Sequence, residues 1–363
     1  MASETRHVVG CMTGTSIDGI DAALVRVSGR GLEMRAEFVR GVSRPLGDLG
    51  PPLRALADQQ LMTAGDIAAL SREFAALHAE VIKVLLREAD ARANLICVHG
   101  QTVFHAPPVS WQMFNGAVLA HALGTPVVFD LRAADLAAGG QGAPITPIAD
   151  WVFFRSEQPT AIVNLGGFCN VTLLPSVADG IEKIRGFDVC ACNHVLDQIA
   201  RKLLRMDYDK DGLAALSGEV HNDAALDLEG VLAVQASSRR SLGTGDEVGG
   251  WISRFRAHVE PHHLAATACE VIGHTIARKI QDGTGLVLLA GGGVRNKALV
   301  NAISGWASAK VQPLDTCGVP IEFREAADMA VLGLLCQDRV PITLPAVTGV
   351  REPAPVSGVW ACP

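Results

Sequence analysis

The sequence predicts a two-domain α/β protein in which one strand–turn–strand unit occurs twice. The chain has 363 residues, which is long for a single ordinary domain, and 49% of them are hydrophobic, enough for two large cores. In each half, a short apolar strand leads into a glycine-rich turn and a second strand. Helical segments and another apolar strand follow, and that strand ends in a polar or glycine loop. We therefore expect a duplicated α/β unit with ligand loops at strand ends.

The first half opens with Val8-Val9, the glycine-rich segment 10–19 and an imperfectly alternating apolar run at 20–27. Apolar residues at helical spacing then cover residues 66–89. The buried strand predicted at residues 95–98 runs directly into His99-Gly100-Gln101-Thr102. This order predicts strand, turn, strand, helix and strand.

The second half repeats this order with a strand at 161–163, a glycine turn at 164–167 and a strand at 168–174. A helix at 264–280 and a strand at 286–289 precede Gly291-Gly292-Gly293, and a helix is expected at 297–303. Because the segment 139–144 interrupts the pattern, we predict an N-terminal domain at 1–150 and a C-terminal domain at 151–363. The proline-rich tail at 341–363 is expected to be extended and to pack back on the first domain.

Composition argues against several kinds of partner. The formal net charge is −7 and no run of Lys or Arg stands out, so a nucleic-acid partner is not expected. The polar leader before Val8 does not resemble a secretory signal, and no apolar stretch has the length of a membrane span. The nine cysteines form an odd set, which favours reduced thiols over a disulfide framework. We expect a cytoplasmic protein without a membrane partner.

The loop at residues 10–19 has glycines and hydroxyls that can turn donors toward an anion. Taken alone, it is more typical of an ordinary glycine-rich hairpin turn. No lysine of the P-loop type follows it, so the charge of a bound phosphate would need a metal ion. Asp18 or Asp21 could hold Mg²⁺ there through water.

The loop Gly291-Gly292-Gly293 joins a strand to a helix and has more glycine than a connector with one positive φ needs, which favours a ligand loop. Asp188 precedes a helix predicted at 193–204, so a helix N-cap is a serious alternative to a functional role. A histidine after a buried strand, such as His99, is usually structural. Cys190 and Cys192 are too closely spaced for a usual zinc pair.

Together these segments resemble the anhydro-N-acetylmuramic acid kinase family. Each motif is weak alone, but the ordered set is specific and spans nearly the whole chain. The matching segments are 10–21, 99–102, 135–144, 163–167, 186–188, 208–212, 241–243, 291–296 and 345–349.

The resemblance implies an actin/hexokinase-like (ribonuclease H-like) sugar kinase fold with an interdomain cleft. It implies an ATP- and Mg²⁺-dependent enzyme that hydrolyses the 1,6-anhydro bond of anhydro-N-acetylmuramic acid and phosphorylates O6. The products would be N-acetylmuramate 6-phosphate and ADP, in peptidoglycan recycling in a bacterial cytoplasm. A homodimer is also implied.

The same resemblance assigns residues. Asp188 is the expected catalytic general base for a water that attacks the anomeric carbon. The sugar is expected to contact Gln101, Thr102, Arg132 and Glu325, with Arg132 either pairing with the lactyl carboxylate or forming a surface salt bridge. The expected ATP-binding residues are Gly14, Thr15, Ser16, Ile17, Asp18, Gly19, Ile20, Asp21, Gly166, Gly167, Gly291, Gly292, Gly293 and Asn296.

Two segments depart from the commoner family pattern. Thr-Gly-Pro-Gly-Asn usually follows the catalytic aspartate, whereas this chain has Val189-Cys190-Ala191-Cys192-Asn193, and Thr13 replaces a serine. The change at 189–192 alters the loop backbone and leaves the identity of the sugar open. A kinase for another anhydro sugar, such as levoglucosan, is one alternative. A non-catalytic actin-like nucleotide sensor is another. A DNA-binding repressor with this fold would need an added helix-turn-helix, for which the leader is too short.

Overall fold

The computed structural model describes residues 5–14, 16–237, 242, 248–280 and 283–363. Contacts between α-carbons divide the chain into two compact units. The first unit contains Met1–Phe154 together with Cys317–Pro363, and the second contains Arg155–Thr316. The sequence predicts domains at 1–150 and 151–363. The two compact units differ from this division, because the chain returns to the first unit at Cys317, well before the tail at 341–363.

The strands of the described chain are named in order: β1 Thr5–Met12, β2 Gly19–Ser28, β3 Arg35–Pro45, β4 Leu95–Val98, β5 Gln101–Ala106, β6 Val109–Met113, β7 Val127–Phe129, β8 Thr160–Leu165, β9 Phe168–Leu174, β10 Arg185–Ala191, β11 Leu286–Ala290, β12 Lys310–Pro313 and β13 Val359–Ala361.

The α-helices are α1 Gly50–Ala57, α2 Ala64–Glu88, α3 Gly116–Leu123, α4 Ala133–Ala137, α5 Pro147–Phe154, α6 Asn193–Ile199, α7 Leu213–Leu216, α8 Asn222–Ser237, α9 Gly249–Phe255, α10 Pro261–Ala277, α11 Lys297–Trp306, α12 Arg324–Gln337 and α13 Pro345–Thr348. A π-helical stretch, Ala200–Leu204, continues α6. Within the described ranges, none of these helices is both long enough and apolar enough to traverse a lipid bilayer.

The sheet of the first unit has the strand order β13-β7-β4-β1-β2-β3. Strands β1, β2 and β3 are antiparallel neighbours, whereas β1, β4 and β7 are parallel. The C-terminal strand β13 adds to the edge antiparallel to β7, with Val359 opposite Phe129 and Ala361 opposite Val127. The tail thus completes the sheet of the first unit.

The sheet of the second unit has the order β10-β9-β8-β11-β12. Here β8, β9 and β10 are antiparallel, and β8, β11 and β12 are parallel. Apart from β13, both sheets therefore share one arrangement, in which the first strand is central, the second and third form a meander, and the fourth and fifth are parallel to it. This repeated arrangement confirms the duplicated α/β unit and the actin/hexokinase-like class predicted from the sequence.

Helix α2 shows how local sequence defines an element. The side chain of Thr63 accepts a hydrogen bond from the backbone of Asp66, and the Asp66 side chain reaches back to the Thr63 backbone, which forms a capping box. The helix buries one apolar face, which includes Phe74, Ile82 and Leu85. The predicted helix at 66–89 is confirmed and begins slightly earlier.

Helix α12 explains why the chain returns to the first unit. Nearly all of its residues are buried, so it cannot remain as a surface element. It crosses β1 at Gly10, where a β carbon would lie 1.9 Å from the carbonyl oxygen of Ala326 and 2.4 Å from the nitrogen of Ala330. At its first turn, the Arg324 guanidinium donates to both carboxylate oxygens of buried Asp150, at 2.5–2.9 Å. Removing either partner would leave a buried charge unpaired.

We expect Gly10→Ala to destabilise the protein, because the new methyl group meets helix backbone that cannot rotate away. The loss in the free energy of unfolding should be about 1–3 kcal/mol or more. Thermal and urea denaturation would measure it. Gly65→Ala is the matched control in the same unit, since the nearest atom to its β carbon, Thr63 Oγ1, is 3.8 Å away. Equal stability of the two variants would contradict the close helix–strand contact.

Candidate active site

The loop between β1 and β2 has a defined bend. The Ile17 N–H donates to the carbonyl of Gly14 at 3.2 Å, and Ile17 has a φ of 52°, which is unfavourable for a β-branched residue. Its side chain is only 4% exposed, so burial holds this conformation. Nη2 of Arg54 donates to the carbonyls of Ser16 (2.8 Å) and Ile17 (3.2 Å). The bend is therefore fixed by the protein itself.

The predicted ATP-binding positions in this loop differ in what they can offer. Ser16 is exposed and its hydroxyl donates to Asp18 Oδ1 at 2.9 Å. Gly14 has room for a side chain, with the nearest atom 3.5 Å from a built β carbon. Gly19 and Ile20 begin β2, and the Ile20 side chain is fully buried, so it belongs to the core. Thr15 lies outside the described residues.

Asp18 and Asp21 are close enough to interact electrostatically. Burial raises the pKa of the Asp21 carboxyl, a hydrogen bond from Ser43 opposes this, and the charges of Asp18 and Glu322 raise it further. In the described ranges, no cluster of three His, Cys, Asp or Glu side chains could enclose a metal ion. Mg²⁺ usually binds through one or two carboxylates, water and nucleotide phosphates. The two carboxylates fit that donor set, because a cation would also relieve their repulsion.

The segment after β4 brings the predicted sugar residues to this loop. Gln101 is fully buried, and its Nε2 donates to the carbonyls of Thr102 (3.2 Å) and Gly14 (3.5 Å). Its Oε1 has no hydrogen-bond partner among the described residues. Thr102 Oγ1 accepts from Gln112 at 3.4 Å. Because buried acceptors are normally satisfied, the free oxygen of Gln101 is a candidate ligand contact.

Arg132 immediately precedes α4. Its Nε donates to Nε2 of His99, and its Nη1 donates to the carbonyl of Gly142, both at 2.9 Å. Burial lowers the pKa of the guanidinium to about 10, although the charges of Glu325 and Asp135 oppose this shift. These contacts to neutral acceptors do not form the surface salt bridge considered as an alternative.

His99 is 2% exposed, and its Nδ1 lies 2.9 Å from the carbonyl oxygen of Gly100. Burial, followed by the charge of Arg132, lowers the pKa of the imidazole to about 3. Sequence reasoning treated this histidine as structural and missed its contact with Arg132. Its position next to Gln101 and Thr102 was the available signal.

Glu325 lies in the first turn of α12 and is half-buried. The neighbouring Arg324–Asp150 pair fixes this turn. Burial alone would lower the pKa of Arg324, but the charges of Asp150 and Asp328 outweigh it and raise the pKa. The first unit thus brings Gln101, Thr102, Arg132 and Glu325 together with the β1–β2 loop.

In the second unit, Asp188 lies inside β10 at a β-bulge. The pairing with β9 shifts register between Asp188 and Cys190, so Val189 is the extra residue. Bulges commonly redirect a side chain at the edge of a site. The interpretation of Asp188 as a helix N-cap is wrong, because α6 begins five residues later with Cys192 at the N-cap position.

The half-buried carboxyl of Asp188 accepts one described hydrogen bond, from the backbone N–H of Leu242 to Oδ2 at 2.8 Å. Burial raises the pKa of Asp188, and this hydrogen bond lowers it in part. Leu242 was not among the predicted site residues, although it lies in the matching segment 241–243. Its neighbours 241 and 243 lie outside the described residues.

The turn at Gly166 and Gly167 packs on the start of α6. The N–H groups of Cys192 and Asn193 donate to the carbonyls of Gly167 (2.8 Å) and Gly166 (3.0 Å). A β carbon at Gly167 would lie 2.5 Å from Nε2 of His194. The altered sequence at 189–192 therefore still anchors this turn through its backbone.

The three glycines after β11 are not equivalent. Gly291 has a φ of 81°, and its β carbon would lie 2.6 Å from Asn164 Oδ1. Gly293 would place a β carbon 2.7 Å from Cβ of Leu165. At Gly292, by contrast, no described atom comes within 4 Å of a built β carbon. Packing explains two of the glycines, whereas Gly292 is exposed and has open space around it.

Asn296 also serves the fold, because its side chain accepts from the N–H of Leu299 at 3.1 Å and caps α11. The cysteines near Asp188 are interior side chains. Cys190 pairs across the sheet with Cys169, and Cys190 and Cys192 are fully buried. Burial raises the pKa of Cys190 to about 12, which keeps its thiol protonated.

Two ribonuclease H-like units, each with a glycine turn between its first two strands, define a protein of the actin/hexokinase-like class. A family model described as anhydro-N-acetylmuramic acid kinase matches residues 6–361. The chain belongs to this family, and it is accordingly a kinase.

Relatives of the same description support the assignment. The anhydro-N-acetylmuramic acid kinase of Bordetella pertussis (strain Tohama I) is 34% identical over 95% of this chain and 93% of the relative. The anhydro-N-acetylmuramic acid kinase of Salinibacter ruber is 32% identical over 98% of this chain and 96% of the relative. Among solved structures, the activator of the 2-hydroxyisocaproyl-CoA dehydratase from Clostridium difficile with bound ADPNP is 12% identical. The structural match covers 90% of this chain and 94% of the activator chain, with a TM-score of 0.44. The family assignment rests on the sequence relatives.

We expect Gly292→Ala to weaken nucleotide binding without loss of stability, because the methyl group enters open space at an exposed position where the predicted nucleotide would lie. The dissociation constant for ADP should rise about tenfold, or about 1.4 kcal/mol. Titration calorimetry and thermal denaturation would measure the two effects. Gly293→Ala is the comparison, since its clash with Leu165 should lower the melting temperature. Unchanged ADP affinity in Gly292→Ala would contradict a ligand at this position.

Proposed function

We propose that this kinase uses ATP to convert anhydro-N-acetylmuramic acid into N-acetylmuramate 6-phosphate and ADP. The observation that carries the proposal is Asp188, a half-buried carboxyl on a bulge with a raised pKa. A carboxylate of this kind is suited to accept a proton at neutral pH. Family membership supports the choice of substrate.

In the proposed reaction, Asp188 accepts a proton from water as the water oxygen bonds to the anomeric carbon. The bond between that carbon and O6 breaks, and its electron pair goes to O6. O6 then bonds to the γ-phosphorus of ATP, and ADP leaves with the electrons of the broken phosphoanhydride bond. The hydrogen bond from Leu242 orients Asp188 for the first step.

The residues of the first unit are proposed to bind the sugar. Arg132 retains guanidinium hydrogens that can pair with the lactyl carboxylate. The free Oε1 of Gln101 can accept from a hydroxyl or amide of the ligand. Thr102 and Glu325 would supply further polar contacts. The carboxylate partner for Arg132 favours this sugar over levoglucosan, which has none.

The glycine-rich segments are proposed to bind ATP. The loop at residues 14–21 and the glycines at 166–167 would contact phosphate, and those at 291–293 would lie near the nucleoside. Asp18 or Asp21 would hold Mg²⁺ through water, and the ion would neutralise charge on the phosphates. We propose that the enzyme acts in cell-wall sugar recycling in the cytoplasm, and that it is a homodimer.

Purified protein with ATP, Mg²⁺ and anhydro-N-acetylmuramic acid should yield a product heavier by one water plus one phosphoryl group, detected by mass spectrometry. Asp188→Asn should reduce turnover by at least about a thousandfold, because the general base is lost. It should retain ADP affinity. Its melting temperature at neutral pH should not fall, since the raised pKa means that burying the charged form is costly and an amide removes that cost.

Three results would contradict the proposal in different ways. Turnover of levoglucosan but not of the muramic sugar would identify another anhydro-sugar kinase. ADP binding without turnover of either sugar would favour a nucleotide sensor. Full activity of Asp188→Asn would refute the base assignment alone.

The pH dependence of kcat/KM should show an acidic limb above the ordinary aspartate pKa of 3.8, because burial raises the pKa of Asp188. Activity should fall as pH decreases through this raised pKa, since only the carboxylate accepts a proton. Steady-state rates across the acidic range would locate the limb. A limb at or below the ordinary value would mean that another group controls the reaction.

A further inference from the structure

The guanidinium of Arg132 is held on two sides by neutral acceptors. Nε donates to Nε2 of His99 and Nη1 donates to the carbonyl of Gly142, each at 2.9 Å. Nη2 takes part in neither contact. Two of the hydrogen-bonding directions of a planar group are thereby fixed, which also fixes the plane itself.

The contact with His99 requires one tautomer of the imidazole. The Gly100 carbonyl, 2.9 Å from Nδ1, can only accept, so Nδ1 must carry the hydrogen. Nε2 then presents a lone pair, which is the form needed to accept from Arg132. Burial and the charge of Arg132 oppose protonation of the ring, and His105 adds to this effect when it is itself protonated. His99 is therefore a neutral acceptor with a defined orientation.

The Gly142 carbonyl, which accepts from Nη1 of Arg132, is also held in place by hydrogen bonds around it. The N–H of Gly142 donates to Asp135 Oδ2 at 2.7 Å, and the Thr348 hydroxyl donates to Asp135 Oδ1 at 2.7 Å. Asp135 is fully buried. Gly142 has a φ of 68°, and a β carbon there would lie 2.9 Å from Cγ of Leu136. The acceptor carbonyl is thus held by a buried network.

We propose that His99 is a positioning residue that orients Arg132 for the carboxylate of the substrate. The proposal rests on the proposed function in one respect, namely that the sugar carries a carboxylate. A neutral acceptor fixes the guanidinium without neutralising its charge, whereas a carboxylate at the same place would compete with the substrate.

The arrangement also defines how the carboxylate binds. Because the Nε hydrogen is taken by His99, a side-on pair of hydrogen bonds through Nε and Nη2 is closed. The remaining hydrogens on Nη1 and Nη2 are those open to the substrate. Loss of His99 should therefore weaken the binding of a carboxylate-bearing sugar. The binding of the same sugar without its lactyl group should be affected far less.

Two substitutions separate the contacts of His99. His99→Asn retains an amide that can donate to Gly100 but is too short to reach Arg132. His99→Gln places an amide oxygen near the former Nε2 and can accept from Arg132. His78→Asn is the matched control, since His78 is also fully buried in the first unit and bonds the Phe74 carbonyl through Nδ1 at 2.8 Å.

Steady-state kinetics with anhydro-N-acetylmuramic acid and with anhydro-N-acetylglucosamine, which lacks the lactyl group, would test the proposal. His99→Asn should raise KM for the first sugar about tenfold, as expected for a weakened hydrogen bond to a charged group. It should change KM for the second sugar, KM for ATP and kcat by less than about threefold. His99→Gln should restore most of the loss. In the background of Arg132→Met, His99→Asn should have no further effect on KM.

The proposal is overturned if His99→Asn affects both sugars alike, lowers only kcat, or adds its full effect to Arg132→Met. It is also overturned if His78→Asn reproduces the same change in KM. A general loss of stability would lower the melting temperature of His99→Asn and His99→Gln without the difference between sugars.

Nitrogen NMR of the labelled imidazoles separates this proposal from the proposed function. His99 should show the Nδ1–H tautomer, and Arg132→Met should move the Nε2 resonance toward that of a free acceptor. If the wild-type enzyme turns over neither sugar, the proposed function fails and these spectra decide the His99–Arg132 contact. An Nε2–H tautomer would refute the His99–Arg132 contact. So would an Nε2 resonance that does not change in Arg132→Met.

Discussion

The contact of α12 with β1 at Gly10 determines how closely this helix packs on the central strand of the first unit. A strand with a side chain at this point would hold the helix away by more than the close packing of an interior allows. The same strand ends in the β1–β2 loop, and the first turn of the same helix contains Glu325. One backbone contact, supported by the buried Arg324–Asp150 pair, therefore places a predicted phosphate loop and a predicted sugar residue on a common support.

Desolvation is the second constraint that the candidate site uses. It lowers the pKa of His99, so that this residue stays an acceptor beside a cation, and it raises the pKa of Asp188. Where a buried cation needs compensation for structure alone, as at Arg324, the chain supplies a carboxylate. At Arg132, which is proposed to bind a ligand, the two hydrogen-bond acceptors are neutral, although Glu325 and Asp135 act on the guanidinium through their charges. Arg324 thus forms a buried ion pair with Asp150, whereas Arg132 keeps guanidinium hydrogens for the proposed ligand.

Sequence reasoning succeeded where the signal is local. The two glycine turns and the helix α2 follow from adjacent residues, and the order of motifs indicated the family. It did not place α12 in the first unit, because that depends on the fit of a helix on a distant strand. It also allowed Asp188 to be a helix cap, since a bulge in β10 leaves no mark in the residue types. The His99–Arg132 contact joins positions 33 apart, so only the fold reveals it.

The edge strand β13 and the helix α12 have a consequence for synthesis on the ribosome. The first unit combines Met1–Phe154 with the distant segment Cys317–Pro363, whereas the second unit, Arg155–Thr316, is contiguous. Domains generally fold as units while the chain emerges. The later unit can therefore fold while the earlier one still lacks the helix that covers β1. Until β13 has been synthesised, β7 remains an open sheet edge, so the earlier part of the nascent chain carries a risk of aggregation at this edge.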